Sequence, residues 1–233
     1  MTTLLIIPCY NESATIAELY HEIRAKTPYD VVVINDCSKD DSRMILRQNC
    51  IPHIDLLVNL GIGGAVQAGY RYALRNGYDI AVQVDGDGQH DPAWVSKLVE
   101  PIECGDADMV IGSRFIDEQG FQSSAARRVG ITLFKGLLYC LRGKCVTDAT
   151  SGFRAANRKV MQLFDDYYSK DYPEPDSTAL ALRNNLRVLE VPVIMRERQG
   201  GVSSINVFRS VYYMLKVSVS ILMTTIQPRT VRV

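Results

Sequence analysis

Apolar residues fall in short unbroken runs along the first half of the chain, separated by stretches where they recur every three or four positions. Leu4 to Ile7, Val31 to Ile34, Asp55 to Val58, Ile80 to Val84 (broken only by Gln83) and Met109 to Ile111 read as strands. Ile16, Leu19, Tyr20 and Ile23 predict a helix from about Ser13 to Ala25, and Thr15-Ile16-Ala17-Glu18 has capping-box form. A short helix is predicted after Ser38-Lys39-Asp40-Asp41, running to Asn49. Ala65, Ala68, Tyr72 and Ala73 mark another helix, and Val95, Leu98, Val99 and Ile102 the next. Strands that are continuously apolar are buried on both faces. Their alternation with helices predicts an α/β chain with a mostly parallel sheet covered on both sides.

After Arg114 the rhythm changes. Phe115 to Ser124 is polar and reads as a loop, and Ala125 to Leu141 as a helix with Arg127 and Arg128 near its start. Asp148 to Arg154 reads as a turn or short strand, followed by a helix to about Phe164. Glu174 stands between Pro173 and Pro175, with Asp176 next and a helix to about Asn184. Val188 to Met195 is the last predicted strand, and Arg196 to Ser203 a basic, glycine-rich loop. From Ile205 to Ile226 the chain reads as an apolar helix interrupted by Arg209 and Lys216. A spanning helix needs about 20 largely uncharged residues, so two central cations argue against one. The alternatives are a helix lying on a membrane face, one packed on a partner, or one closing the domain's own core. Arg229 and Arg232 lean toward anionic lipid. The expected division is one domain over 1–204 and a separate helix over 205–233.

Composition narrows the classes. The 233 residues suit one sizeable domain, with 47% hydrophobic and 22% charged residues as in ordinary globular chains. The formal net charge is zero, which gives a nucleic-acid partner no electrostatic footprint. The six cysteines show no CxxC pair and read as reduced thiols of a cytoplasmic protein. No basic stretch precedes an apolar one at the N-terminus, so no signal peptide is expected.

The chemistry concentrates after the fourth strand, in Asp85-Gly86-Asp87-Gly88-Gln89-His90-Asp91-Pro92. Two carboxylates one residue apart sit on a glycine turn at the carboxyl end of a strand, the edge where open α/β sheets bind ligands. Asp91-Pro92 then reads as a helix start. Hard oxygen ligands here suit Mg²⁺ or Mn²⁺ carrying a diphosphate. A plain solvated turn is the competing reading. His90 is a third potential ligand, although a solvent-facing turn position is the simpler expectation. Asn11, Glu12, Asp36 and the Gly61-Ile62-Gly63-Gly64 loop would share the same edge, where helix N-termini favour an anion.

Seven segments in order carry a resemblance: Ile7-Pro8-Cys9-Tyr10-Asn11-Glu12, Ile34 to Asp40, Asn59 to Ala65, Asp85 to Gln89, Gly112-Ser113-Arg114, Ser151-Gly152-Phe153-Arg154, and Glu190-Val191-Pro192-Val193. Together they resemble the family 2 glycosyltransferases of the GT-A fold. The branch most similar contains dolichol-phosphate mannose synthase and the bacterial polyprenyl-phosphate glycosyltransferases. The resemblance implies a GT-A fold, with a nucleotide-sugar-binding half over 1–114 and an acceptor-binding half over 115–204. It implies an inverting transfer from a nucleotide sugar to a polyprenyl phosphate, with Mg²⁺ or Mn²⁺, on the cytoplasmic face of the membrane. A small membrane subunit or a second copy would be the protein partners.

The roles implied by the resemblance are as follows. Pro8, Tyr10, Glu12 and Asp36 would bind the nucleoside, with Gly63 in the donor loop. Asp85, Asp87 and Gln89 would hold the metal, and Arg198 would meet the donor diphosphate. Arg114, Arg127, Arg128, Ser151 and Arg154 would hold the acceptor phosphate. Several arginines suit a phosphate acceptor, because their forks match its oxygens bidentately. Two departures stand out: Ser204 follows Gly201-Val202-Ser203 where the branch often has Lys, and clear spanning helices are lacking. Glu174 and Asp176 lie where other members place a catalytic base. They leave open a second acceptor class, a hydroxyl on a lipid-linked saccharide, or are simply acids at a helix N-terminus.

Three rivals remain. A nicotinamide oxidoreductase would carry its glycine fingerprint after the first strand, where Pro8 to Glu12 has no glycine. A haloacid-dehalogenase-type phosphatase, by resemblance, would carry its Asp-x-Asp-Gly there too, not after the fourth strand. A non-catalytic nucleotide-binding module keeps every binding feature and predicts no turnover.

Overall fold

The computed structural model describes residues 1–117, 139, 146–169, 173–196 and 219. The predicted 125–141 helix, apart from Tyr139, and the predicted 205–226 helix, apart from Val219, lie outside the described residues. In chain order the elements are β1 (Thr3–Cys9), α1 (Ile16–Lys26), β2 (Asp30–Asn35), α2 (Ser42–Gln48), β3 (His53–Asp55), α3 (Gly61–Arg75) and β4 (Ile80–Gln83). A 3₁₀ turn (Pro92–Trp94) leads into α4 (Val95–Glu103), then β5 (Met109–Ser113), β6 (Arg154–Asn157), α5 (Arg158–Asp166), α6 (Pro173–Arg183) and β7 (Val188–Pro192).

The strands form one sheet in the order β3-β2-β1-β4-β6-β5-β7. Every pairing is parallel except those of β6, which runs antiparallel between β4 and β5. Successive residues of a strand point to opposite faces. Leu4 and Ile6 of β1 therefore join Tyr70, Phe164 and Leu182 of α3, α5 and α6. Leu5 and Ile7 join Ile16, Leu46 and Leu98 of α1, α2 and α4 on the other face. This is the doubly covered, mostly parallel α/β sheet that the unbroken apolar runs predict. Helix α3 approaches β1 closely because position 69 is glycine: a Cβ there would fall 2.2 Å from Ile6 Cγ2.

Four local expectations change. β3 spans His53–Asp55 rather than 55–58, and Leu57 and Val58 stand exposed beyond it. Residues 154–157, expected at the end of a turn or short strand and the start of a helix, form the antiparallel strand β6; Asn157 then caps α5 by accepting the Val160 N–H. β7 ends at Pro192, and Met195 makes only an isolated bridge to His90. Thr15 does not cap α1 with its side chain; its hydroxyl donates instead to the Gly86 carbonyl at 2.8 Å.

Candidate active site

The chain leaves β1 and turns to one side to build β2 and β3, then returns to the other side of β1 for β4. The carboxyl ends of β1, β2 and β4 thus flank a topological switch point, where a crevice opens. A cleft of about 440 Å³ lies there, lined by Pro8, Cys9, Tyr10, Glu12, Asp36, Asn59, Gly61, Ile62, Ala65, Asp85, Gly86 and Asp87. Six of the residues assigned from sequence to donor or metal come together here: Pro8, Tyr10, Glu12, Asp36, Asp85 and Asp87. Gly63 and Gln89 are not among the lining residues, and Arg198 lies outside the described residues.

The acid turn is braced on several sides. Gly88 takes φ +77°, a conformation that favours glycine and closes the turn. Asp87 is 7% exposed, and its Oδ1 accepts the Gln89 N–H at 3.1 Å. Asp85 is more open, its side chain 32% exposed, and its Oδ1 accepts from Gln83 Nε2 at 3.0 Å. Gly152 comes close to the Asp85 carboxylate: a Cβ there would stand 2.8 Å from Oδ2 and 3.1 Å from Oδ1. His90 is no solvent-facing turn residue. It is buried, stacks on Phe153 at 4.7 Å between centroids, and accepts the Asp85 backbone N–H on Nδ1 at 3.0 Å. Its Nε2 lies 3.7 Å from Asp85 Oδ2.

The opposite wall is set by Asp36. Its carboxylate accepts the N–H groups of Leu60 and Gly61 at 2.7 and 2.9 Å, tying the end of β2 to the start of α3. Burial pushes the Cys9 thiol up to about 11, so it lines the cleft as a neutral group. Among the described residues no cluster of three or more His, Cys, Asp or Glu side chains forms a closed cage for a metal. Two carboxylates facing one cleft fit an open divalent site, which keeps coordination positions for phosphate oxygens and water.

The arginines expected on an acceptor phosphate are placed differently. Arg154 is 1% exposed and directed into the protein. Its Nε donates to the Ser151 carbonyl, Nη2 to the Ala149 carbonyl, and Nη1 to the Glu174 carbonyl and Ser177 Oγ. It organises the turn before β6 and the start of α6, and its fork is spent there rather than offered to a ligand. Ser151 is buried beside it. Arg114 forms a bidentate pair with the fully buried Asp148, at 2.7 and 2.8 Å. Glu190 accepts the backbone N–H groups of Thr147 and Asp148 at 2.7 Å each, which fixes that pair. Arg127 and Arg128 lie outside the described residues.

Glu174 and Asp176 occupy the first turn of α6, partly buried. Burial pushes the Glu174 carboxyl up to about 7, with Asp85 and Asp176 adding repulsion and Arg154 opposing it. Sequence reasoning left out Gln83, Gly152, Asp148 and Asn59. Gln83 was visible as the interruption of an apolar strand, and Asn59 and Gly152 as members of the resemblance segments that were given no role of their own.

Comparison with known proteins adds to this geometry. Residues 4–164 match the sequence profile described as Glycosyl transferase family 2. An undecaprenyl-phosphate mannosyltransferase of Micrococcus luteus is 33% identical over 217 residues, covering 88% of this chain and 88% of the relative. A polyprenol monophosphomannose synthase of Mycolicibacterium smegmatis is 31% identical over 215 residues, covering 88% of this chain and 81% of the relative. Among solved structures, glucosyl-3-phosphoglycerate synthase of Mycobacterium tuberculosis, in complex with Mn²⁺, UDP-glucose and phosphoglyceric acid, superposes with a TM-score of 0.73. The match covers 98% of this chain and 81% of that one at 19% identity, a likeness of fold.

Proposed function

The chain belongs to glycosyl transferase family 2, and from that premise we propose that it moves a sugar from a nucleoside diphosphate sugar to a polyprenyl phosphate, with inversion. The observation that carries the donor half is the Asp85/Asp87 pair facing Asp36 across one cleft at the switch point of the sheet. The acceptor half rests on relatives that cover most of the chain and are named for polyprenol and undecaprenyl phosphate.

In this reading Pro8, Tyr10, Glu12 and Asp36 hold the nucleoside, and Asp85 and Asp87 hold a divalent metal. When bound, the metal supplies stabilisation of the negative charge that grows on the departing diphosphate. Thr15 and Gly88 fix the turn, so the two carboxylates need little rearrangement as that charge develops. A polyprenyl phosphate is already an anion and needs no general base. Arg154 and Arg114 act as braces for Glu174, Ser151 and Asp148, which leaves Arg127, Arg128 and Arg198 as the cations proposed for phosphate groups. The proposed division into donor half 1–114 and acceptor half 115–204 places both on one sheet, because β6 lies between β4 and β5. No helix among the described residues is long and apolar enough to cross a membrane. Access to a lipid acceptor is proposed to come from peripheral attachment at the cytoplasmic face through 205–233, aided by a membrane subunit or a second copy.

One observation favours a second reading. A carboxyl titrating near 7 is matched to general-base work at neutral pH, and Glu174 has that property. Glu174 or Asp176 would then deprotonate a hydroxyl of a lipid-linked saccharide.

Purified protein incubated with undecaprenyl phosphate and a panel of UDP-, GDP- and dTDP-sugars should yield a lipid monophosphate sugar. EDTA should abolish the transfer, and Asp87→Ala should lower it by about 100-fold or more, the scale of losing a charge-stabilising group. Full-rate transfer in EDTA would remove the acid pair from the reaction. Transfer only to a lipid-linked saccharide, lost in Glu174→Gln, would select the second reading.

A further inference from the structure

Gln83 ends β4, a strand otherwise made of Ile80, Ala81 and Val82, and it is 0% exposed. Alternation along the strand puts it on the side of Ala81, in the core beneath α3, α5 and α6. Its two amide atoms have opposite fates. Nε2 donates to Asp85 Oδ1 at 3.0 Å, while Oε1 is buried and meets no hydrogen-bonding partner among the described residues. Turning the amide over would set its carbonyl against the Asp85 carboxylate, so the charge of Asp85 dictates the orientation seen.

The surroundings leave the amide little freedom. Arg154 is its cross-strand partner in β6, with donors committed to Ser151, Ala149, Glu174 and Ser177. Gly152 covers the pair: a Cβ there would stand 3.0 Å from Gln83 Nε2 and 2.8 Å from Asp85 Oδ2. A buried acceptor without a partner is destabilising, whereas an apolar side chain of similar shape would suit a strand core. Among the described residues the fold therefore gains nothing from the amide carbonyl, and the only hydrogen bond made by this side chain goes to Asp85.

We infer that Gln83 is a positioning residue, whose buried amide N–H aims the Asp85 carboxylate into the cleft at the expense of core stability. The inference rests on the reading of Asp85 as a metal-holding group. By holding Oδ1, Gln83 fixes the carboxylate of a cleft-lining residue, with Oδ2 3.7 Å from His90 Nε2, as groups behind a ligand commonly do. Gly152 keeps that arrangement possible by having no side chain.

The test replaces the amide by shapes without a donor, Gln83→Met and Gln83→Leu, in the full chain. Mn²⁺ retention in the presence of UDP, GDP or dTDP is followed by EPR of the free ion, and thermal unfolding by circular dichroism. Expected are a melting temperature equal to or above that of the wild type and Mn²⁺ binding weakened about 10- to 100-fold, the usual effect of losing such a partner. Unchanged Mn²⁺ binding in a folded variant would overturn the inference. So would a fall in melting temperature with Mn²⁺ binding intact, which would make Gln83 a packing residue. Wild-type protein that retains Mn²⁺ with none of the three nucleotides would instead sink the metal reading and this inference with it.

Discussion

Glu174 carries the clearest residue-level consequence. Its carboxyl titrates at about 7 against an ordinary 4.5, chiefly because burial disfavours the charged form. Between those two values the folded state holds more proton than the unfolded state. Stability from this group is therefore greatest below about pH 4.5 and falls as pH rises to about 7, the reverse of the usual carboxylate. Glu174→Gln removes the charge and should flatten the stability curve over that window. At pH 8 it should melt higher than the wild type, by an amount of order 5 °C. Thermal melts of both proteins at half-unit pH steps would check this. Parallel curves across the window would mean that the carboxyl is solvated and its titration ordinary. The same residue shows how little a lone acid reveals in sequence. Glu174 between two prolines looks like a helix N-terminal acid, and its shift comes chiefly from burial in the fold, with Asp85 of a distant segment adding repulsion.

At the scale of elements, the acid turn is held from outside by the segment leaving β7. Arg196 donates its backbone N–H to the Gln89 carbonyl at 2.9 Å, next to the His90–Met195 bridge. Its guanidinium meets both oxygens of Glu22 in α1 at 2.7 and 2.9 Å and Asp91 at 2.8 Å; Lys26 joins the same two acids. Single exposed ion pairs contribute little, but a bidentate, partly buried network is the favourable case. Arg196→Ala should cost about 1–2 kcal/mol at low salt, or roughly 2–8 °C in melting temperature. In 1 M salt the deficit should shrink, because exposed pairs are screened. Scanning calorimetry at both ionic strengths would show it, and an unchanged low-salt melting temperature would mean the network contributes nothing. The elements themselves were unevenly legible. β1, β2, β4 and β5 announce themselves because both of their faces are buried. β6 does not: Ala155 and Ala156 between Arg154 and Asn157 carry no strand preference, and two neighbouring strands impose the conformation. The apolar pair Leu57 and Val58 misplaced β3, since both are exposed rather than turned into the core. The cleft residues were readable because they follow strand ends. The burial of Arg154 was not, because its partners Glu174 and Ser177 come from α6, a separate segment.

For the whole molecule, one sheet carries the two sides of the cleft that hold Asp36 and the acid pair. Asp36 follows β2, Asp85 and Asp87 follow β4, and β6 fastens the Gly152 turn beside them. A ligand that bridges Asp36 to the acid pair therefore ties the ends of β2 and β4 together, and its binding energy appears as stability of the folded state. Linkage sets the size: a ligand at 100 times its dissociation constant adds about 2.7 kcal/mol, if the unfolded chain does not bind it. For a chain of this length that is a rise of about 5–11 °C in melting temperature. The matching nucleoside diphosphate with Mn²⁺ should produce this shift, and among UDP, GDP and dTDP the largest shift identifies the base that the Asp36 side of the cleft accepts. Asp87→Asn should erase the part that depends on Mn²⁺ while leaving a smaller shift from the nucleoside alone, because Asp36 and Tyr10 are untouched by that change. A variant that kept the full Mn²⁺-dependent shift would show the cation bound away from the Asp85–Gly86–Asp87 turn. The cleft would then have to be read as a nucleoside pocket only.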